Sequence, residues 1–174
     1  MTATEQVILV DENDNPIGSA EKLRAHQEGL CHRAFSVFVF YNGLLLLQQR
    51  AKGKYHSPGL WTNTCCSHPR PGEDVIEAGQ RRLQEEMGLE VALTVVGRFH
   101  YIAHFNNGLT ENEVDYVLVG NVHQPLITPN KTEVAAYRWV SLAELHKELT
   151  DSPEKFTPWL MQALEIIAEV AVQY

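Results

Sequence analysis

The sequence predicts an α+β fold in which a mixed β-sheet is sandwiched between helices. Three observations predict it. Runs of β-branched and aromatic residues open the chain, one helical stripe lies mid-chain, and further strands are followed by two late helices. With 174 residues and 44% hydrophobic content, the chain suits one domain, spanning 1–174, with a sizeable core.

The first element lies in "EQVILVDENDNPIGSAEK", which reads as a short strand, an Asn-Pro turn, and a second short strand or the approach to a helix. "RAFSVFVFYNGLLLLQQR" is the clearest hairpin. Two apolar runs flank Asn42-Gly43, the dipeptide that a type I′ turn favours. Both runs are apolar on both faces, so the hairpin is expected inside the fold. From Glu73 to Met87 the pattern turns helical, with Ile76, Gly79, Leu83 and Met87 on one stripe and Gly88 placed to end it. "VALTVVGRFHYIAHFNNGLTENEVDYVLVG" reads as two longer strands joined at Asn106-Asn107-Gly108, and "EVAAYRWVS" as another. Ser141 is the expected N-cap of a following helix. Pro153 to Val172 reads as a terminal amphipathic helix carrying Trp159, Leu160, Leu164, Ile167 and Val170.

The net charge of −8 argues against general affinity for nucleic acid or anionic membrane. Arg50, Lys52 and Lys54 nevertheless cluster within five positions, as a small anion site or a solvated loop. Cys31, Cys65 and Cys66 are odd in number, and two are neighbours that could bridge only through a strained ring. They do not form a secretory disulfide framework. The N-terminus is too short in apolar residues and too acidic for a signal peptide or a membrane span. A soluble, reduced, cytoplasmic protein is expected.

His26, His32, His68, Glu111 and Glu113 are the candidate metal ligands. In "TENEVDY", Glu111, Glu113 and Asp115 fall on one face of a strand. Taken alone, that segment reads first as the solvated face of an edge strand. Three imidazoles with two carboxylates would suit manganese, zinc or iron better than calcium, although spacing alone does not bring the segments together. Arg82 and Glu86, one turn apart, read as a salt-bridged exposed helix face.

A second reading of that helix begins with "RRLQEEMGL", which resembles the end of the Nudix box, G-x5-E-x7-R-E-U-x-E-E-x-G-U. The chain gives Ser67, Glu73, Arg81, Arg82, Leu83, Glu85, Glu86, Gly88 and Leu89 at those positions. Ser67 replaces the opening glycine and Arg82 replaces a glutamate. A cation there removes a magnesium ligand and repels the metal, so the fold signal survives and the hydrolase signal does not.

The chain resembles the type I isopentenyl-diphosphate Δ-isomerases, a branch with the Nudix fold, from "VDENDNPIG" to "FTPW". "HRAFSVFVF", "WTNTCCSHP", "YIAHF…TENEVD" and "FTPW" carry the resemblance. It implies a Nudix-like fold whose C-terminal helix covers the active site, and a metal-dependent interconversion of isopentenyl and dimethylallyl diphosphates in isoprenoid biosynthesis. By this resemblance Cys66 is the reactive thiol and Glu113 the catalytic carboxylate, with Tyr101 its hydroxyl partner and Trp159 facing the cationic carbon. His26, His32, His68, Glu111 and Glu113 bind one metal, Mn2+ or Zn2+. Glu86 is associated with the Mg2+ that accompanies the substrate, and Lys22, Arg50, Lys54 and Arg82 hold the diphosphate. The implied partner is a small-molecule diphosphate, with no nucleic acid, membrane or obligate protein partner. Competing readings are a Nudix pyrophosphohydrolase acting on a nucleoside diphosphate derivative, and a non-catalytic metal-binding relative.

Overall fold

The computed structural model describes residues 4–171. Strands β1 (Gln6–Val10) and β2 (Pro16–Glu21) pair antiparallel across the Asp11–Asn15 turn, and helix α1 (Lys22–Glu28) follows directly, ending at Gly29. The hairpin is β3 (His32–Tyr41) and β4 (Leu44–Arg50). Asn42 and Gly43 have φ values of 48° and 78°, the two positive angles a type I′ turn requires. The strands pair only beside that turn, at Phe40 with Leu45 and Tyr41 with Leu44, and then diverge.

The divergence frees both edges of β3. Along one edge runs β8 (Thr110–Asn121), in parallel, with His32 opposite Glu113. The other edge pairs in turn with β1, β6 (Cys65–Ser67) and β4. β7 (Thr94–His104) pairs antiparallel with the outer edge of β8, whereas β4 is flanked by β5 (Trp61–Thr62) and β9 (Val134–Val140). The hairpin therefore lies inside the sheet, as its apolar faces require.

Alternation sorts the two faces. Phe35, Val37, Val39, Leu46 and Leu118 pack under Ala78, Leu83 and Met87 of α2 (Val75–Met87). Phe38, Leu45, Leu47 and Val117 face the other way, against Leu145 and Leu149 of α3 (Leu142–Asp151) and Leu160, Ala163, Leu164 and Ile167 of α4 (Leu160–Ala171). Helices thus cover both faces. Asp74 caps α2, Gly88 ends it at φ 65°, and Ser141 with Glu144 forms a capping box on α3.

Gly79 is where α2 approaches the sheet most closely, since a Cβ there would lie 2.6 Å from Leu118 Cδ1. Alanine gains roughly 1 kcal/mol of helix propensity. Forcing a methyl into that contact costs about 1–3 kcal/mol. The steric term is expected to dominate, so Gly79→Ala should unfold at lower urea than the parent protein.

Two expectations need correction. The segment 153–172 is not one helix: Pro153–Lys155 forms a 3-10 turn, Phe156 bridges to Trp61, and α4 begins at Leu160. Proline at 158 restricts the residue before it to extended backbone, which interrupts the helix. Trp159 therefore precedes α4, and Val172 lies outside the described residues. "ENEVD" is not an edge strand either. β8 is paired on both sides, and Glu111, Glu113 and Asp115 are 2%, 4% and 2% exposed. Among the described residues, no helix is long and apolar enough to cross a membrane.

Candidate active site

The face of the sheet that packs on α3 and α4 changes character along its strands. Towards the ends of β3 and β8 it is apolar, with Phe38 and Val117 in the core. Near their starts the same face carries His32, Ser36, Glu111, Glu113 and Asp115, all buried. Register adds the rest: Tyr101 is opposite Glu113, and Cys66 is opposite Ser36. Cys65 alternates to the other face and is fully buried in the core under α2.

The histidines arrive from three elements. His26 Nδ1 donates to the Lys22 carbonyl at 2.7 Å within α1, and His32 Nδ1 donates to the Leu30 carbonyl at 2.8 Å. Each Nδ1 thus carries a hydrogen and each Nε2 is aimed at Glu113, where it can donate to the carboxylate when the ring is protonated or offer a lone pair to a metal when it is not. Nε2 of His32 and of His68 stand 3.1 and 3.0 Å from Glu113 Oε1, and that of His26 stands 3.9 Å away. Two ligands in cis positions about 2.1 Å from one ion stand roughly 3 Å apart. The His26, His32, His68 and Glu113 group, in which His32 and His68 hydrogen-bond Glu113 Oε1, can hold a divalent metal at this spacing.

Charge in the site follows from its burial. Burial lowers the pKa of His26 and His68 to about 4, which keeps both imidazoles neutral at pH 7. Burial also opposes charge on His32, yet the hydrogen bond and charge of Glu113 raise its pKa. Glu113 is held well below the usual carboxylate range: burial works against this, and the bonds from His32 and His68 outweigh it. Glu111 belongs to a second group with His26 and His56. Tyr101 donates its hydroxyl to Glu111 and to Glu113 Oε2, the latter at 3.0 Å.

Beyond the histidines, Cys66 lines one cavity with Glu113, Tyr101, Trp159, Lys22, Arg50, Lys54 and Arg82. Burial, with Asp115 adding to it, pushes the Cys66 thiol up to about 12. Cys66 Sγ donates to Asn63 Oδ1 at 3.0 Å, and Trp159 Nε1 donates to Asn63 Oδ1 at 3.1 Å and to Cys66 Sγ at 3.2 Å. The Arg50 guanidinium lies 5.7 Å from the Trp159 ring centre. Lys54 pairs with Glu133, Lys22 with Glu5 at 3.1 Å, and Arg82 with Glu85 and Glu86 at 2.6 Å each. Arg50 and Arg82 each leave a buried Nε without an acceptor among the described residues. A cavity with several cations and donors to spare suits a multiply charged anion.

Glu86 is 3% exposed, so the Arg82–Glu86 pair is not on a solvated face. Its oxygens accept from Arg82 and, at 3.0 Å, from Gln48. Sequence reasoning missed His56, Asn63, Gln48 and Glu133. The loop "KYHSPG" gave His56 only one local signal, a histidine among cations, and nothing in the spacing connects it to Glu111.

A family model for the NUDIX domain matches residues 31–160. Among solved structures, DR0079 from Deinococcus radiodurans superposes with a TM-score of 0.75 at 18% identity, covering 94% of this chain and 98% of that one. At that identity the likeness speaks for the fold alone. A Photobacterium profundum protein named isopentenyl-diphosphate Delta-isomerase is 48% identical, over 99% of this chain and 100% of its own. A protein of the same name from Burkholderia multivorans is 51% identical, with 92% of each chain covered. Identity near one half, sustained over almost the full length of both partners, decides the assignment: the chain belongs to the isopentenyl-diphosphate Delta-isomerase family, built on a NUDIX domain.

Proposed function

We propose that the protein interconverts isopentenyl diphosphate and dimethylallyl diphosphate in isoprenoid biosynthesis, with Cys66 and Glu113 as the proton-transfer pair. The observation that carries this reading is the presence of a thiol and a carboxylate in one cavity, beside an aromatic ring and a set of cations. Shifting the double bond requires a proton added at one end of the alkene and another removed beyond the cationic carbon. One of the pair can donate while the other accepts, and the labels exchange with direction. Tyr101 orients Glu113 from its Oε2 side. Trp159 offers its π face to the tertiary cation, an interaction worth about 2 kcal/mol when desolvated. At 2% exposure it also helps keep out the water that would capture that cation.

His26, His32, His68, Glu111 and Glu113 would hold Mn2+ or Zn2+, since mixed imidazole and carboxylate donors suit such ions. The ion would supply positive charge that polarises Glu113. Glu86 would serve the Mg2+ that accompanies the substrate. Lys22, Arg50, Lys54 and Arg82 would bind the diphosphate, whose oxygens can satisfy the free Nε groups of both arginines. Such a site anchors diphosphate without cleaving it, because Arg82 stands where a hydrolase carries a metal-binding glutamate. In this reading the whole chain works as one unit, with His26 coming from its N-terminal helix and Trp159 from its C-terminal region. Cys66 has to be a free thiol, which suits a reducing compartment such as the cytoplasm.

Purified protein incubated with isopentenyl diphosphate and Mg2+ in D2O is expected to yield deuterated dimethylallyl diphosphate by proton NMR, with no free phosphate. Phosphate release would overturn the reading in favour of a hydrolase. Unchanged substrate with metal confirmed in the protein would leave a binding relative.

A further inference from the structure

Asn63 is 0% exposed and stands in the turn between β5 and β6, behind the cavity wall that Cys66 and Trp159 help to form. The turn is wedged between β3 and β4 where those strands diverge: Thr64 Oγ1 accepts from Val39 N at 2.9 Å and donates to the Leu46 carbonyl at 2.7 Å. Asn63 Nδ2 donates to the carbonyls of Val37 and Cys65 at 3.0 and 2.9 Å. Both of its hydrogens are therefore used, and a flipped amide would set its oxygen against two carbonyl oxygens. The sheet thus fixes where Oδ1 points.

Three donors converge on that oxygen: Cys66 Sγ at 3.0 Å, Trp159 Nε1 at 3.1 Å and Thr62 Oγ1 at 2.8 Å. Because Thr62 gives its one hydrogen to Asn63, the Thr157 hydroxyl at 2.8 Å donates to Thr62. The segment that carries Trp159 is thus tied to the turn twice, through Thr157 and through the indole. Trp159 Nε1 also stands 3.2 Å from Cys66 Sγ, so Oδ1, Sγ and Nε1 form a closed triangle. Holding the N–H edge there leaves the π face of the ring for a cation. We propose that Asn63 is a positioning residue whose Oδ1 sets the Cys66 thiol and the Trp159 ring against each other. The inference deepens the isomerase reading and rests on it for turnover, where the cationic carbon is bonded to the carbons that exchange protons. Its placement of Trp159 stands independently.

The test follows the indole N–H signals of protein carrying isotope-labelled tryptophan, alongside kcat and KM for isopentenyl diphosphate. The Trp159 signal is the one that Trp159→Phe removes. In Asn63→Ala it is expected to shift upfield, having lost its oxygen acceptor. The same variant should lose on the order of 10²-fold in kcat, the effect of about 1 Å of misplacement at a reacting group. KM should not change, because the bonds of Asn63 run to Val37, Thr62, Cys65, Cys66 and Trp159 rather than to the cations of the cavity. A folded Asn63→Ala, checked by circular dichroism, that keeps either the parent's Trp159 signal or its kcat would overturn the proposal. Cys66→Ala puts the same question without altering the turn: its Trp159 signal is expected to stay downfield, since Asn63 still accepts. An upfield shift there would show that the sulfur holds the ring, and would overturn the proposal as well. An inactive parent protein would count against the isomerase reading alone, because the indole signals still decide the placement of Trp159.

Discussion

Replacing Cys66 by alanine is expected to abolish isomerisation while leaving the metal content unchanged. Cys66 lies on the strand β6 and contacts Asn63, Ser36 and Trp159, none of which belongs to the histidine group. Removing its sulfur takes away one proton carrier. Asn63, 0% exposed and anchored by its Nδ2 to the carbonyls of Val37 and Cys65, keeps its place. A positioned acid or base contributes roughly 10²–10⁴-fold to rate. A loss of at least that size, leaving no detectable dimethylallyl diphosphate by NMR while metal content by atomic emission is unchanged, is the expected outcome. Parent-like turnover would remove the thiol from the mechanism.

Glu113→Gln is expected to fail in both respects. Oε1 is the point on which His26, His32 and His68 converge, and Oε2 receives the Tyr101 hydroxyl. Glutamine keeps the shape and removes both the negative charge and the basic oxygen. Metal retention should fall, and turnover should fall by at least the roughly 10²–10⁴-fold owed to a proton carrier. The contrast between the variants is the informative part: one loses chemistry alone, the other chemistry and metal together. A Glu113→Gln protein that holds its metal as the parent does would show that the histidines suffice for binding, and would separate the two roles given to this carboxylate.

What the sequence made legible was mostly local. Asn42-Gly43, Gly88 and Ser141 each act within a few residues, through positive φ angles or a capping hydroxyl, and all three occur where expected. "ENEVD" misled when read alone because its burial comes from β3, whose His32 lies 81 residues before Glu113. The resemblance to a family named residues that the structure brings together around Glu113 and Cys66. It did not reach His56, whose connection to Glu111 depends on how the loop from Arg50 to Leu60 folds back, through the bonds Gly59 N to Arg50 O and Arg50 N to Leu60 O. The helix expected from Pro153 begins only at Leu160, because Pro158 interrupts the backbone pattern before it.

Adjacent cysteines invite the thought that one could replace the other, or that the two could oxidise together. The pleat of β6 opposes both. Cys65 is sealed in the core beneath α2 while Cys66 opens on the cavity, so the two sulfurs leave the backbone on opposite sides. No change of rotamer exchanges them; only a slip of the strand by one residue would, and that slip would also turn its neighbours inside out. A bond between them would need both sulfurs on one side at about 2 Å, which this strand geometry denies. The sheet thus insulates the working thiol from the thiol nearest to it in the chain.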